Sequence, residues 1–91
     1  MSDIMAGDIC RVEWLDADDP TDAVWVEGCE LAAMPDMEPC ISVGIVVCAS
    51  PLSVMLACSS APLVRTMYSG VIRIPRCAIL KMERLEVQQD G

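Results

Sequence analysis

The sequence predicts a single small all-β domain, a five-stranded barrel with a short 3₁₀ turn before the last strand. The chain has only 91 residues, which is the length of one domain. Its central segment is rich in β-branched residues and is interrupted by turn residues. Residues 9–14 alternate apolar and charged side chains with the period of a strand. Residues 1–7 and roughly the last five residues are expected to be flexible.

The first strand is predicted at residues 9–14, with charged side chains on one side and apolar ones on the other. The apolar side consists of Cys10, Val12 and Trp14. An acidic turn follows, and residues 23–27 predict a second short strand. Residues 28–40 contain two prolines and predict a loop with one helical turn.

The central segment Ile41–Val64 contains no charged residue in 24 consecutive positions. This length would suffice for a transmembrane helix, but Pro, Gly and five Ser interrupt it, and no Lys or Arg cluster flanks it. We therefore predict a β-hairpin with strands at residues 41–48 and 53–58. Neither face of this hairpin carries charge, so the face that points away from the core must be covered. A second copy of the chain is the simplest cover.

Large and small side chains alternate along the first strand of this hairpin. The odd-numbered positions are bulky and β-branched, whereas most even-numbered ones are small, which allows another element to pack closely. The sequence therefore predicts a homo-oligomer. Its predicted interface residues are Ser42, Gly44, Val46 and Met55.

The C-terminal part predicts a turn at residues 63–69 and a strand at residues 71–74. This strand ends at Pro75, because proline has no N–H to donate to a neighbouring strand. Residues 76–87 leave two structures open. They suit a helix with an apolar stripe, or a 3₁₀ turn followed by a final strand. The stripe consists of Ile79, Met82 and Leu85.

The composition argues against enzymatic and metal chemistry. The chain has no His and no Asn, so neither a Ser–His–Asp nor a Cys–His–Asn unit can be built, and imidazole ligands for zinc are missing. Its six Cys contain no Cys-x-x-Cys pair. We therefore predict no catalytic residue, no metal and no cofactor. The N-terminus has no basic and apolar export signal, so we expect a cytoplasmic protein with reduced thiols.

Charge is segregated along the chain. Residues 1–40 hold eleven acidic side chains and one basic, whereas residues 41–91 hold three acidic and five basic. The net charge of −8 argues against general nucleic-acid binding, because phosphate backbones are repelled. The basic residues surround the only tyrosine, and arginine forks bind phosphate or carboxylate groups. We therefore predict an anion-binding site formed by Arg65, Tyr68, Arg73 and Arg76.

Several segments are similar to those of small phage proteins. They are Val12–Trp14, residues 42–47, residues 54–57 and the Ile-Arg-Ile-Pro-Arg segment at residues 72–76. Over residues 8–86 the chain resembles a group of hypothetical proteins encoded by bacteriophages and prophages. Its strand spacing also resembles that of Sm-like and SH3-like barrels. The resemblance implies a strand at residues 79–85 and a ring or other closed homo-oligomer.

Three functional hypotheses follow from these features. The first is a non-catalytic, oligomeric viral accessory protein that sequesters a small anionic ligand, for which a nucleotide signal of host immunity is one candidate. Such a protein would have an anti-defence function. The second is an interaction module whose acidic N-terminal half binds a host or viral protein. The third is an Sm-like RNA-binding protein, although this chain is acidic and lacks a basic aromatic loop. We expect no membrane partner.

Overall fold

A computed structural model describes residues 4–18, 20–21 and 24–86, and these residues form mainly β-strands. The strands are β1 (Ile9–Trp14), β2 (Cys40–Ala49), β3 (Ser53–Ala57), β4 (Ser59–Pro62), β5 (Thr66–Ser69), β6 (Ile72–Pro75) and β7 (Ile79–Leu85). A short helix, α1, spans Gly28–Ala32, and a 3₁₀ turn spans Arg76–Ala78. The predicted all-β class is therefore confirmed. The segment left open between helix and strand forms a strand after a 3₁₀ turn.

Five strands form one antiparallel sheet in the order β6–β3–β2–β1–β7, and β4 pairs only with β5 in a separate hairpin. The predicted barrel closure is not found, because no backbone pairing joins β6 to β7 in the described residues. A physical reason lies at the end of β6. This strand has four residues and ends at Pro75, which cannot donate an N–H, and the 3₁₀ turn follows immediately.

The core lies against one face of this sheet. Its buried side chains are Cys10, Val12, Val46, Val54, Leu56 and Ile74, and Ile4, Trp14, Ile79 and Met82 pack against them. These residues include members of both edge strands, β6 and β7. The sheet therefore curls around a shared core without closing. The predicted alternation in β1 is confirmed, since the apolar side of that strand faces this core.

The β2 strand approaches β3 most closely at Gly44. A Cβ atom at this position would lie 2.8 Å from the carbonyl oxygen of Ala57 and 3.1 Å from the Cβ atom of Leu56. Nearby, the indole Nε1–H of Trp14 donates a hydrogen bond to the Ser42 hydroxyl oxygen at 3.1 Å. The small residues of β2 thus allow close packing within one chain, between neighbouring strands.

The strand predicted at residues 23–27 is absent from the part of it that the structure describes, residues 24–27. Trp25 is 91% exposed and packs into no core. The segment pairs with neither edge strand of the sheet, β6 or β7, and Val24 and Trp25 stay about nine-tenths exposed, so no burial of apolar surface stabilises a strand here. The single helical turn predicted after it is confirmed as α1.

A hairpin formed by β4 and β5 replaces the turn that was predicted at residues 63–69. Gly70 closes its base with a φ of +64°, and a Cβ atom there would lie 2.8 Å from the sulfur of Cys58. The Cys58 N–H donates to the Ser69 carbonyl oxygen at 3.0 Å. Every residue from 59 to 69 is exposed, so the hairpin projects from the sheet. The Cα radius of gyration is 17.3 Å, against about 12 Å for a compact chain of this length.

Residues 4–7, which were expected to be flexible, contact the sheet. Ile4 packs against the core, and the Gly7 N–H donates to the carbonyl oxygen of Val46 at 2.8 Å. The flexibility predicted for residues 1–3 and for the C-terminal residues 87–91 concerns segments outside the described residues.

Candidate functional site

The four residues predicted to bind an anion lie on different elements. Arg65 is at the tip of the β4–β5 hairpin, Tyr68 is on β5, Arg73 is on β6 and Arg76 begins the 3₁₀ turn. Arg76 lies beside the turn before β3, whereas the hairpin leaves from the other end of β3. Five strand residues span about 17 Å, so the tip of the hairpin and Arg76 do not converge within one chain.

Arg76 is held by the chain itself. Its Nε–H donates to the carbonyl oxygen of Ser50 at 2.9 Å, and its backbone N–H donates to the carbonyl oxygen of Leu52 at 2.8 Å. These bonds fasten the 3₁₀ turn to the β2–β3 turn. The side chain of Arg76 therefore serves the fold, which the count of arginines in the sequence did not indicate.

Arg65 and Arg73 remain open to solvent. The Nη2 atom of Arg73 lies 3.8 Å from the Met55 sulfur, its partner position across β3 and β6. Within the described residues, Arg65 makes no hydrogen bond or ion pair. Of the predicted anion-binding arginines, these two have guanidinium groups free to meet a ligand or another chain.

The even-numbered interface residues on β2 face inward. Val46 is fully buried in the core of a single chain, and Gly44 is buried under β3. The odd-numbered residues face outward instead: Ile41 is 58% exposed and Val43 is 55% exposed. An interface on β2 would therefore use the odd-numbered face and not the predicted even-numbered one, because successive side chains of a strand point to opposite faces. Met55 is half-buried and lies opposite Arg73.

An apolar surface continues from β2 onto the neighbouring strands. Ile9 pairs with Ile45 on one side and with Leu85 on the other. We call the outward-facing set the outer patch; it consists of Ile9, Ile41, Val43, Ile45 and Leu85. In the described residues Ile41 and Val43 stay more than half exposed, and α1, in the loop between β1 and β2, does not pack against the sheet. The uncharged central strand in the sequence was the signal for this patch.

An ion-pair network borders the outer patch. Arg11 lies between Val43 and Glu83 across the strands, and its Nη1 atom is 2.7 Å from a Glu13 carboxylate oxygen and 3.5 Å from one of Glu83. The hydrogen bond from Arg11 lowers the pKa of the Glu13 carboxyl below its ordinary value. The same bond raises the pKa of Arg11. Both side chains are therefore charged at neutral pH.

The Glu13→Gln variant should lose part of the pH dependence of stability. Because the pKa of Glu13 is lowered by folding, its contribution is present above the unfolded-state value, near 4.3, and is lost as the pH falls through the folded value. Urea unfolding of both proteins at pH 7 and pH 3 measures this. The wild type should lose more stability between these pH values than the variant, and equal losses would contradict the assignment.

The loop between β1 and β2 forms an acidic depression of about 710 Å³. Three of its lining residues are the carboxylates Asp18, Asp36 and Glu38, and three are the apolar side chains Leu31, Met34 and Met37. None of these carboxylates makes an ion pair within the described part of the chain. The depression therefore combines an apolar surface with uncompensated negative charge.

All six cysteines are free thiols. Burial is the main reason that the pKa of the Cys10 thiol is raised, and the nearby Asp8 carboxylate adds to the effect. In the described residues, no three acidic or Cys side chains cluster in a way that could hold a metal ion. None of the described helices has the length and hydropathy that a membrane crossing requires.

Comparison with known proteins gives no match: no family model, curated protein or solved structure matches the chain. The function is therefore argued from the surfaces described above.

Proposed function

We propose that this protein is a non-catalytic binding module that assembles with copies of itself through the outer patch. The observation that carries the proposal is the exposure of Ile41 and Val43 in the middle of a sheet, on a face that the described residues leave uncovered. A contiguous apolar surface with a polar border is typical of protein interfaces. The ion-pair network of Arg11, Glu13 and Glu83 provides that border.

The distribution of charge supports a contact at this face. Each chain carries a net charge of −8, so two copies repel each other least where they meet at a surface of low net charge. Among the described strand residues, Arg11, Lys81 and Arg73 lie on the outer face of the sheet together with two carboxylates, Glu13 and Glu83. This face is thus close to neutral, and it opposes a contact between copies less than the acidic loop would.

We also propose that the protein is related to Sm-like and SH3-like barrels and that it comes from a phage. Five antiparallel strands with a 3₁₀ turn before the last one are the arrangement that the Sm-like and SH3-like resemblance implies. This arrangement supports a relationship with those barrels, in an open form. The resemblance to phage proteins makes an anti-defence function in the host cytoplasm part of the same proposal.

A small anion is the ligand that the free arginines favour. Arg65 and Arg73 present exposed guanidinium groups, and in an assembly such groups from several copies can meet around one phosphate-bearing molecule. Arg76 is left out of this site because its side chain fastens two turns. Tyr68, partly exposed on the hairpin, lies on the strand that follows Arg65.

Val43→Lys is the variant that tests the outer patch. We expect native mass spectrometry to show the wild type as a multiple of the 9.8 kDa chain, and Val43→Lys as a smaller assembly, because a buried unpaired charge opposes the contact. Leu52→Lys, in the β2–β3 turn and away from the patch, is the matched control and should keep the wild-type mass.

The same spectra test the ligand. With a panel of nucleotides added, the wild type should gain the mass of a bound nucleotide, and Arg65→Ala with Arg73→Ala should lose it. A wild type that remains a single chain at tens of micromolar, or a Val43→Lys protein of unchanged mass, would overturn the assembly proposal. Bound RNA instead of a nucleotide would favour the Sm-like alternative.

A further inference from the structure

The tip of the β4–β5 hairpin is an exposed apolar surface with one positive charge. It consists of Leu63, Val64 and Arg65, and Val64 has its full side-chain surface in solvent. Arg65 is the only charged residue between positions 41 and 72. An isolated two-stranded hairpin is marginally stable in water, so a hairpin that projects with apolar side chains at its tip is expected to gain stability from a partner.

The acidic depression has the complementary properties. Leu31, Met34 and Met37 give it an apolar surface, and methionine side chains adapt to irregular partners. Its carboxylates, including Asp36 and Glu38, have no basic partner in the described residues. A volume of about 710 Å³ falls in the range of sites that enclose a small ligand, so it can accept a few side chains.

The sequence explains why the two surfaces are matched in charge. The depression lies in the half of the chain that has eleven acidic residues and one basic residue, and that base, Arg11, is already paired with Glu13 and Glu83. A cation for the depression must therefore come from elsewhere. The hairpin tip offers an exposed arginine beside two exposed apolar side chains, Leu63 and Val64, whereas Arg73 lies in the sheet against Met55.

We propose that the hairpin tip of one copy docks into the acidic depression of a second copy, with Arg65 facing Asp36 and Glu38. The chain's own hairpin is not the occupant, because residues 59–69 are exposed along their whole length and none of them lines the depression. The contact joins two different surfaces, so it is heterologous and leads to a ring or an open filament. It goes beyond the outer patch, which is a separate surface, and it competes with the proposed anion site, because an Arg65 that faces Asp36 and Glu38 does not also bind a nucleotide.

Charge reversal on the two sides tests this contact in the full-length protein. Arg65→Glu alone, and Asp36→Lys with Glu38→Lys, should each raise the dissociation constant of the assembly about tenfold or more, because like charges then face each other. An equimolar mixture of the two variants should restore the assembly, since every hairpin then finds a depression of opposite charge. Sedimentation velocity measures the masses. Arg84→Glu, with the same change in net charge on β7, is the control; it loses only an exposed ion pair with Glu86, which contributes little, so it should assemble as the wild type does.

The outcomes separate this contact from the outer patch. If both contacts exist, Val43→Lys leaves species joined by hairpins, whereas Arg65→Glu leaves species joined by the sheet. Unchanged assembly of the two charge-reversal variants would overturn the hairpin contact and leave the outer patch standing. A mixture that fails to reassemble would also overturn it, because the losses would then come from damage to each chain alone.

Discussion

Gly44→Ala is expected to lower the free energy of unfolding by about 1–3 kcal/mol. The added Cβ atom would lie 2.8 Å from the Ala57 carbonyl oxygen, a backbone atom that cannot move without disturbing the pairing of β2 and β3. A domain of this size is stable by only about 5–14 kcal/mol, so the loss is a substantial share. Urea unfolding followed by far-UV circular dichroism measures it.

Gly28→Ala is the matched control for this prediction. Gly28 begins α1, and a Cβ atom there meets nothing within 4 Å. Alanine also favours a helix over glycine, so this variant should be as stable as the wild type or slightly more stable. If the two substitutions have equal effects, the close approach of β2 and β3 is not the reason that alanine at position 44 destabilises the protein.

Ile74→Ala should cost about 2–5 kcal/mol, the range for truncating a buried isoleucine. Ile74 is fully buried and is the largest of the buried side chains, although it lies on β6, an edge strand. It pairs with Val54 and fills the core from that edge. The expected result is an unfolding midpoint well below that of the wild type at the same protein concentration.

Ile72→Ala removes the same atoms from the same strand and serves as its control. Ile72 is 39% exposed, so its truncation leaves a smaller cavity and should cost well under half as much. Unfolding at several protein concentrations is needed, since an assembly makes the midpoint depend on concentration. Equal losses for the two variants would show that the edge strand contributes no more to the core at Ile74 than at Ile72.

These stability tests bear on the assembly as well. The core of one chain is small, with seven fully buried apolar residues among those described. A surface such as the outer patch, with Ile41 and Val43 more than half exposed, is a cost to a single chain in water. The stability of this protein is therefore expected to depend on concentration, which gives an independent check on the proposal.

The sequence predicted the main strands from local patterns. The alternation in β1 and the β-branched run in β2 identified both strands, and the Pro51 turn identified the hairpin that joins β2 to β3. Such strands can be predicted from their own residues, because side chains that alternate between apolar and polar mark the two faces of a strand. Residues 24–27 show the limit: their β-branched and aromatic residues predicted a strand, but the segment pairs with no strand, and Val24 and Trp25 are exposed.

The candidate site was less predictable than the fold. The arginines were identified as a group because they are close in sequence. In the structure, however, Arg76 donates hydrogen bonds to the carbonyl oxygens of Ser50 and Leu52. Arg65 lies on a hairpin that projects into solvent. The β4–β5 hairpin itself was missed. Its strands are four residues long, and the first is a Ser-rich segment that ends in proline, which is a turn signal in isolation.

The amino-acid sequence by itself determined that this is a small all-β chain without His chemistry, acidic in its first half and uncharged through its centre. Only the tertiary structure decided which face of β2 is core and which is surface. The physical reason is that alternation is symmetric: a pattern of two faces does not say which one meets the core. The close approach at Gly44, made by pairing β2 with β3, turns the small side inward and leaves the bulky side, with Ile41 and Val43, exposed.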